Sequence, residues 1–168
     1  MKLKAISVAC LSLAAAFLVH AKDPASSLKA ADEKFVKSAA DSGMVEVKVA
    51  ELGAQKATRA EVKALAETMI KDHTALNAEL KTLAGNKGAQ LSAAMDPKGA
   101  ETMKDLEKYS GEEFDKHFLK ALEDGHEKSV KNFKNAAEDA TDGDVKAFAS
   151  KNLPTIEGHL EHIKRLQK

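Results

Sequence analysis

Four side chains that can bind metal ions lie on the apolar faces of four helix-forming stretches, one to each stretch. They are Glu46, His73, His126 and His159. A polar side chain on a buried face needs a partner, because burial without one costs free energy. Imidazole nitrogens and carboxylate oxygens suit borderline transition-metal ions such as zinc, iron and copper. If the four stretches pack together, the sequence predicts one metal site with these four ligands.

Each candidate also has a simpler explanation, because a histidine on an apolar face is more often a hydrogen-bonded core residue than a ligand. Three histidines and a glutamate on four separate faces nevertheless favour a shared site, since helical bundles build metal sites from facing helices. The pattern of a di-iron site is incomplete, because only His126 has a glutamate three positions before it, Glu123. Asp72 could orient a histidine, but a solvated carboxylate is the simpler interpretation.

Helical periodicity predicts the elements that must position these residues. In the stretch 32–57, small and apolar residues recur at steps of four and three, and Glu46 lies on that face. The run from Thr58 to Glu61 is typical of a capping box, and it opens a second helix that continues to about residue 84. His73 occupies a seam of heptad-like spacing in this second helix.

Two further long helices are predicted after a crossover. The run from Ser110 to Glu113 predicts a second capping box and a helix to about residue 140, with His126 on its inner stripe. The run from Thr141 to Asp144 predicts a turn and a cap into the last helix, which carries His159. The four candidate ligands therefore belong to four different long helices.

The predicted fold class is all-α, an up-down-up-down four-helix bundle. Asp96-Pro97 predicts a short extra helix over residues 97–109 in the crossover between the second and third long helices. In this arrangement both tight turns lie at one end of the bundle. At 1.5 Å per residue the four candidates then lie roughly 18 to 26 Å from that end. This spread is compatible with a single layer.

The N-terminal segment is typical of an export signal, predicted over residues 1–21. Lys2 and Lys4 precede an apolar run from Ala5 to Val19, and the segment ends in small residues at Ala21. We expect residues 22–31 to form a flexible lead-in and residues 32–168 to form the folded domain. No later stretch approaches the roughly 20 apolar residues of a membrane span, so we expect a soluble periplasmic protein with no transmembrane segment in the mature chain.

Composition excludes several classes of function for the mature chain. Removing 21 of the 168 residues removes the only cysteine, Cys10, so disulfides, thiolate nucleophiles and iron–sulfur sites are excluded. Without Lys2 and Lys4 the chain has 24 basic against 26 acidic side chains, a formal charge of −2. That balance does not indicate a nucleic-acid partner, which usually requires a basic surface.

Ordered short motifs run from Asp32 to about Arg165. They are Asp32-x-x-Phe35, Gly43-Met44-x-Glu46-Val47, Val62-Lys63, Met69, Asp72-His73, Asn77, Gly111-x-x-Phe114-Asp115, His126-Glu127-Lys128, Lys146-x-Phe148-Ala149, Leu153-Pro154 and His159-Leu160. On these motifs the chain resembles the exported bacterial family known as domain of unknown function 4142. The resemblance implies a ferritin-like four-helix bundle with no settled activity, sometimes labelled an outer-membrane protein. The family usually has an acid directly before the third-helix histidine, whereas Gly125 precedes His126 here.

The leading functional hypothesis from the sequence is a periplasmic bundle that binds a zinc, iron or copper ion for buffering or redox support. The alternative is a non-enzymatic interaction or stress-protective bundle with no metal, in which the polar seam residues hydrogen-bond one another. An enzyme of the di-iron oxidase kind would need about four carboxylates at the site, and the seams supply one. The sequence therefore favours a protein that is not an enzyme, and it leaves the identity of any protein partner open.

Overall fold

The computed structural model describes residues 26–168, which form five α-helices and no strand. The helices are α1 (Ala30–Lys56), α2 (Ala60–Lys87), α3 (Pro97–Glu107), α4 (Gly111–Asp139) and α5 (Gly143–Leu166). The prediction of an all-α fold is confirmed over this range. None of these helices is long and apolar enough to cross a membrane. The predicted export signal lies outside the described residues.

Two buried aspartates show that α1 and α4 run in opposite directions. Asp115, near the start of α4, accepts a hydrogen bond of 2.9 Å from the backbone N–H of Thr58 in the α1–α2 turn. Asp32, near the start of α1, accepts one of 3.2 Å from the backbone N–H of Thr141 in the α4–α5 turn. Because each helix begins beside the other's end, the two tight turns lie at opposite ends of the molecule.

The long helices therefore follow an up, down, down, up order, and the predicted up-down-up-down order is wrong. α2 ends beside the α4–α5 turn, where Lys87 pairs with Asp142 at 2.8 Å, whereas α4 begins at the opposite end. Residues 88–110, including α3, run back along the molecule between these two points. Asp96-Pro97 predicted the short helix of the crossover, but the direction of the long helices could not be predicted, because an apolar seam has the same spacing in both directions.

The two long hairpins repeat at a constant offset along the chain. The ends of α1 and α4 are separated by the same number of residues as the starts of α2 and α5. The aspartates Asp32 and Asp115 are separated by the same number, and so are the threonines Thr58 and Thr141 that they bind. Two similar hairpins thus pack face to face about an approximate two-fold axis, and each one holds the other's turn.

Asp115 takes the place of the capping box predicted for α2. The residue before α2, Arg59, makes no side-chain cap, and Thr58 Oγ1 instead donates to Asp115 at 2.7 Å. Ser110 before α4 also makes no side-chain cap. The predicted caps of α3 and α5 are confirmed, since Asp96 and Asp142 each accept from backbone N–H groups of their helix. At the start of α2, a carboxylate from the other hairpin thus binds the N–H groups of Thr58 and Arg59, which directly precede the helix.

The interior consists of two apolar clusters separated by a polar layer. All four long helices contribute to both clusters; representative members are Val36, Leu80, Phe133 and Ile156 in one, and Val49, Leu65, Phe118 and Ile163 in the other. The apolar clusters occupy the two halves of each helix, and the buried Glu46, His73, His126 and His159 lie between them. The polar layer therefore sits near mid-height and is enclosed by hydrocarbon on both sides.

The residues directly before α1 pack against the end of α2. The backbone N–H of Ser27 donates to the carbonyl of Lys87 at 2.9 Å, and the side chain of Leu28 is buried in an apolar cluster. The packed part of the chain therefore includes Ser27 and Leu28, which precede the predicted start of the domain at Asp32.

Candidate metal centre

Three histidines from three different helices meet in the polar layer. They are His73 on α2, His126 on α4 and His159 on α5, and all three are buried. One ring nitrogen of each lies within 4.8 Å of the corresponding nitrogens of the other two. Nitrogen ligands about 2.0–2.1 Å from one ion are roughly 3.3–3.6 Å apart. The cluster thus needs only a small inward shift of side chains to surround an ion.

His126 is oriented by its own helix. Its Nδ1 lies 2.9 Å from the backbone carbonyl of Leu122, one turn earlier. Because a carbonyl only accepts hydrogen bonds, the network assigns the proton of His126 to Nδ1 and leaves a lone pair on Nε2. That Nε2 faces His73 Nε2 at 3.3 Å. The inner nitrogen of His126 is therefore in the form that a metal ion requires.

His159 is oriented by a carboxylate from α2. Its Nε2 lies 3.0 Å from Asp72 Oδ2, so this nitrogen donates a hydrogen bond outward. The other nitrogen, Nδ1, is buried and has no hydrogen-bond partner. Buried polar atoms are rarely left unpaired, and each exception needs an explanation. A lone pair held inside the protein beside two other imidazoles is what a bound cation would explain.

His73 completes the cluster from the seam of α2. Its Nε2 faces a lone pair of His126, so without a metal ion it donates a proton across the 3.3 Å contact. An ion between the two nitrogens would replace that proton. The pair can therefore be satisfied in two ways, by a shared proton or by a shared ion.

Burial keeps two of the imidazoles neutral. It lowers the pKa of His73 to about 3, and the charges of His126 and His159 act in the same direction. Burial also lowers the pKa of His126 to about 4, although its hydrogen bond to Leu122 acts in the opposite direction. Both rings are deprotonated at neutral pH, which is the protonation state that binds metals.

The fourth predicted ligand occupies a different place. Glu46 Oε1 lies 3.6 Å from the outer nitrogen of His126, Nδ1, and not with the three inner nitrogens. Burial raises the pKa of Glu46 to about 8, so this carboxyl is neutral at pH 7. It fits there because Gly125 has no side chain, and a methyl group on that glycine would overlap Glu46 Oε1. Glu46 thus approaches the layer from the outer side of the His126 ring.

Asp72 is the site residue that the sequence analysis assigned to solvent. Its side chain is 32% exposed, which matches that interpretation, but it also binds His159 across the α2–α5 interface. The one signal for Asp72 in the sequence is that it directly precedes His73. That signal is weak, because residues adjacent on a helix point in different directions. The contact could be recognised only once α5 was placed beside α2.

The four residues lie at similar heights along the molecule even though the second hairpin runs in the direction opposite to the predicted one. The predicted heights of all four residues were counted from one end of the bundle, but the α4–α5 turn lies at the opposite end from the α1–α2 turn. All four residues lie close to the middle of helices of similar length, so their heights agree whichever end is taken as the origin.

An all-helical protein with a buried cluster of three histidines is the class that the fold and the site define. The chain belongs to the family described as domain of unknown function (DUF4142), whose family model matches residues 18–166. The prediction of this family from the sequence motifs is confirmed. No curated protein sequence matches the chain.

Solved structures of similar fold include a DUF305 fragment from Deinococcus radiodurans, with 15% identity and a TM-score of 0.74 over 83% of this chain and 97% of that one. CopM in the Cu(I)-bound form is similar with 20% identity and a TM-score of 0.66, covering 80% and 94% of the two chains. CopM in the Cu(II)-bound form gives 18% and 0.68, covering 81% and 95%. At these identities the similarity shows a shared fold.

Proposed function

We propose that this chain is an exported, ferritin-like four-helix protein that binds one transition-metal ion through His73, His126 and His159. The observation that carries the proposal is the buried, unpartnered Nδ1 of His159, whose ring centroid lies 5.3 Å from that of His73 and 5.6 Å from that of His126. The export signal predicted at the N-terminus supports a periplasmic location for this function. A mature N-terminus at Lys22, measured by mass spectrometry of the protein from culture, is the expected sign of that export.

The donor set favours copper, with zinc and iron as the competing ions. Three imidazole nitrogens suit copper, zinc and iron, whereas a site for magnesium or calcium would be built from oxygen. Two structures of similar fold are described as CopM in the Cu(I)-bound and Cu(II)-bound forms, which supports copper as the first ion to test. Three nitrogen ligands leave room for a change of coordination between the two oxidation states.

The groups around the imidazoles support this role by holding each ring in place. Asp72 and the Leu122 carbonyl bind the outer nitrogens of His159 and His126, and such outer partners commonly fix the tautomer and orientation of metal-bound histidines. Glu46 adds a carboxyl beside His126. In this proposal Glu46 is an outer partner and not a fourth ligand.

Binding, buffering or redox support describes this site better than catalysis does. The side chain of His159, the most exposed of the three histidines, is 9% exposed, so a substrate larger than an ion has little access to the cluster. Among the described residues, the only carboxylates in contact with the three rings are Glu46 and Asp72. A di-iron oxidase site would use about four.

A protein without metal is the alternative, an interaction or stress-protective bundle. The contact between His73 Nε2 and His126 Nε2 at 3.3 Å favours it, because one shared proton satisfies both atoms. The same arrangement leaves His159 Nδ1 without a partner. In the metal-binding protein this nitrogen is a ligand of the ion, whereas in the metal-free bundle it has no partner.

Copper titration of the metal-free protein distinguishes the two functions. We expect one ion per chain in isothermal titration calorimetry, nitrogen hyperfine structure in the Cu²⁺ electron paramagnetic resonance spectrum, and thermal stabilisation by copper. At a ligand concentration of 100 times the Kd, the stabilisation is about 2.7 kcal/mol. His159→Ala should abolish the stabilisation, because it removes a ligand.

His117→Ala is the matched control, since this histidine is half-exposed and stacks on Tyr109 away from the cluster. It should bind copper like the parent protein. Absence of stoichiometric metal in the parent, or equal binding by the His159 variant, would favour the metal-free bundle.

A further inference from the structure

A large groove reaches the polar layer from one face of the molecule. It lies between α1, α3 and α4 and has a volume of about 980 Å³. Its lining includes Glu46 and Gly125, together with Ser42 and Ser129. A second cavity, of about 750 Å³ between α1, α2 and the crossover, is lined by neither the three histidines nor Glu46. Of these two cavities, only the first is lined by Glu46.

The crossover helix forms a wall of this groove. Gly99 of α3 is buried against Val45, and a methyl group on that glycine would overlap the valine side chain. This close approach holds α3 next to α1, one residue before Glu46. The wall is therefore fixed at the point where the groove meets the polar layer.

At this point the groove is separated from the cluster by one flexible side chain. The Glu46 carboxyl lies over the bare backbone of Gly125 and 3.6 Å from His126 Nδ1. The atoms nearest to a methyl group on Gly125 all belong to the Glu46 side chain. Rotation of Glu46 thus exposes the edge of the His126 ring, whose opposite nitrogen faces His73.

We propose that this groove is the entry port of the metal ion, with Glu46 as its gate and Gly125 as the residue that leaves room for the gate. This inference rests on the proposed metal-binding function. An ion in the groove passes the Glu46 carboxyl and then the edge of the His126 ring to reach the three histidines. Asp72, on the opposite face, contacts His159 but lines neither of the two cavities.

A larger residue at position 125 tests the port. Gly125→Val fills the space that the carboxyl now occupies with hydrocarbon. Stopped-flow absorption with glycine-buffered Cu²⁺ should show association slowed about tenfold or more, and Gly125→Ala should show a smaller change. Dissociation into excess EDTA should slow by a similar factor, because a barrier on the path affects both directions and leaves the Kd unchanged.

Gly158 provides the matched control, because it directly precedes His159 as Gly125 precedes His126. A methyl group there meets no atom within 4 Å. Gly158→Val and Gly158→Ala change a helical glycine beside a ligand without touching the groove, so their rates should equal those of the parent protein. If Gly125→Val does not fold, as judged by circular dichroism, Gly125→Ala decides the result.

Unchanged rates in the folded Gly125 variants, or equal slowing in the Gly158 variants, would overturn the port. A weaker affinity with faster dissociation would also overturn it, since Gly125 would then shape the bound state and not the path. Failure of the parent protein to take up copper would refute the metal-binding function itself. That result is read from the parent alone, so the two failures are distinguishable.

Discussion

At the scale of single residues, burial suppresses the charged forms of Glu46, His73 and His126 in the polar layer. The Nε2 atoms of His73 and His126 face each other, and the outer nitrogens of His126 and His159 bind a carbonyl and a carboxylate, respectively. Chemical type and apolar surroundings were visible in the sequence for Glu46, His73, His126 and His159. Whether each residue faces the shared centre or the outer side of a neighbour was not, because helical periodicity locates a side chain only to within a face.

Glu46 provides a prediction about pH. Burial raises its pKa from 4.5 to about 8, so the folded state holds a proton that the unfolded state releases. The stability contribution of this proton is fully present below about pH 4.5 and is lost as pH rises through about 8. Glu46→Gln removes this alkaline loss, which amounts to a few kcal/mol.

Thermal unfolding of the metal-free protein at pH 6 and pH 9 checks this expectation. The parent protein should lose more stability than Glu46→Gln over that interval. Glu67→Gln is the control, because Glu67 is exposed on α2 and should behave like the parent protein. An identical pH dependence in the parent protein and in the Glu46→Gln variant would contradict the prediction.

At the scale of helices, each hairpin is completed by a carboxylate from the other one. Asp32 and Asp115 are both buried, and each binds the backbone and the threonine hydroxyl of the opposite turn. Local motifs predicted helix starts correctly to within a few residues but assigned the wrong caps to α2 and α4. At α2 the reason is physical, since the distant carboxylate of Asp115 offers more hydrogen bonds to the turn than one local hydroxyl.

Asp32→Ala should therefore destabilise the protein strongly. It leaves the N–H groups of Thr141 and Asp142 without their acceptor, at a cost of about 2–4 kcal/mol. Burial alone would raise the pKa of Asp32, but the hydrogen bonds from Thr141 and Asp142 outweigh it and lower the pKa. The contribution of Asp32 is consequently present above its unfolded pKa of 3.8 and is lost as pH falls below that value.

Urea unfolding at pH 7 measures the destabilisation. Asp139→Ala is the matched control, because Asp139 is exposed at the end of α4 beside the same turn. Surface substitutions usually change stability by no more than about 0.5 kcal/mol. If the Asp32 variant lost no more stability than the Asp139 variant, the turn would not depend on Asp32.

At the scale of the whole molecule, a polar layer divides the apolar interior into two clusters. Two apolar clusters would merge if the layer were apolar, and burying imidazoles between them opposes folding unless a ligand compensates. The molecule therefore holds at its centre a polar layer that the proposed metal ion would stabilise. Such a conflict between stability and function is typical of functional sites.

Replacing all three histidines tests this balance. The triple variant His73→Leu, His126→Leu and His159→Leu should be more stable than the metal-free parent protein, by about 1–4 kcal/mol, because apolar residues of similar volume replace buried polar groups. Chemical unfolding in the presence of EDTA measures the difference. Copper should stabilise the parent protein and leave the triple variant unchanged. A less stable triple variant would show that the imidazoles themselves hold the core together.

The sequence by itself determined the helices, their buried faces, the crossover helix and the residues of the polar layer, because periodicity and composition are local properties. Only the tertiary structure decided the direction of the second hairpin, the aspartates that cap the opposite turns, and the position of Glu46 outside the three histidines. Each of these depends on contacts between residues that are far apart in the chain. Sequence spacing does not encode such contacts, because the same apolar seam can pack in either direction.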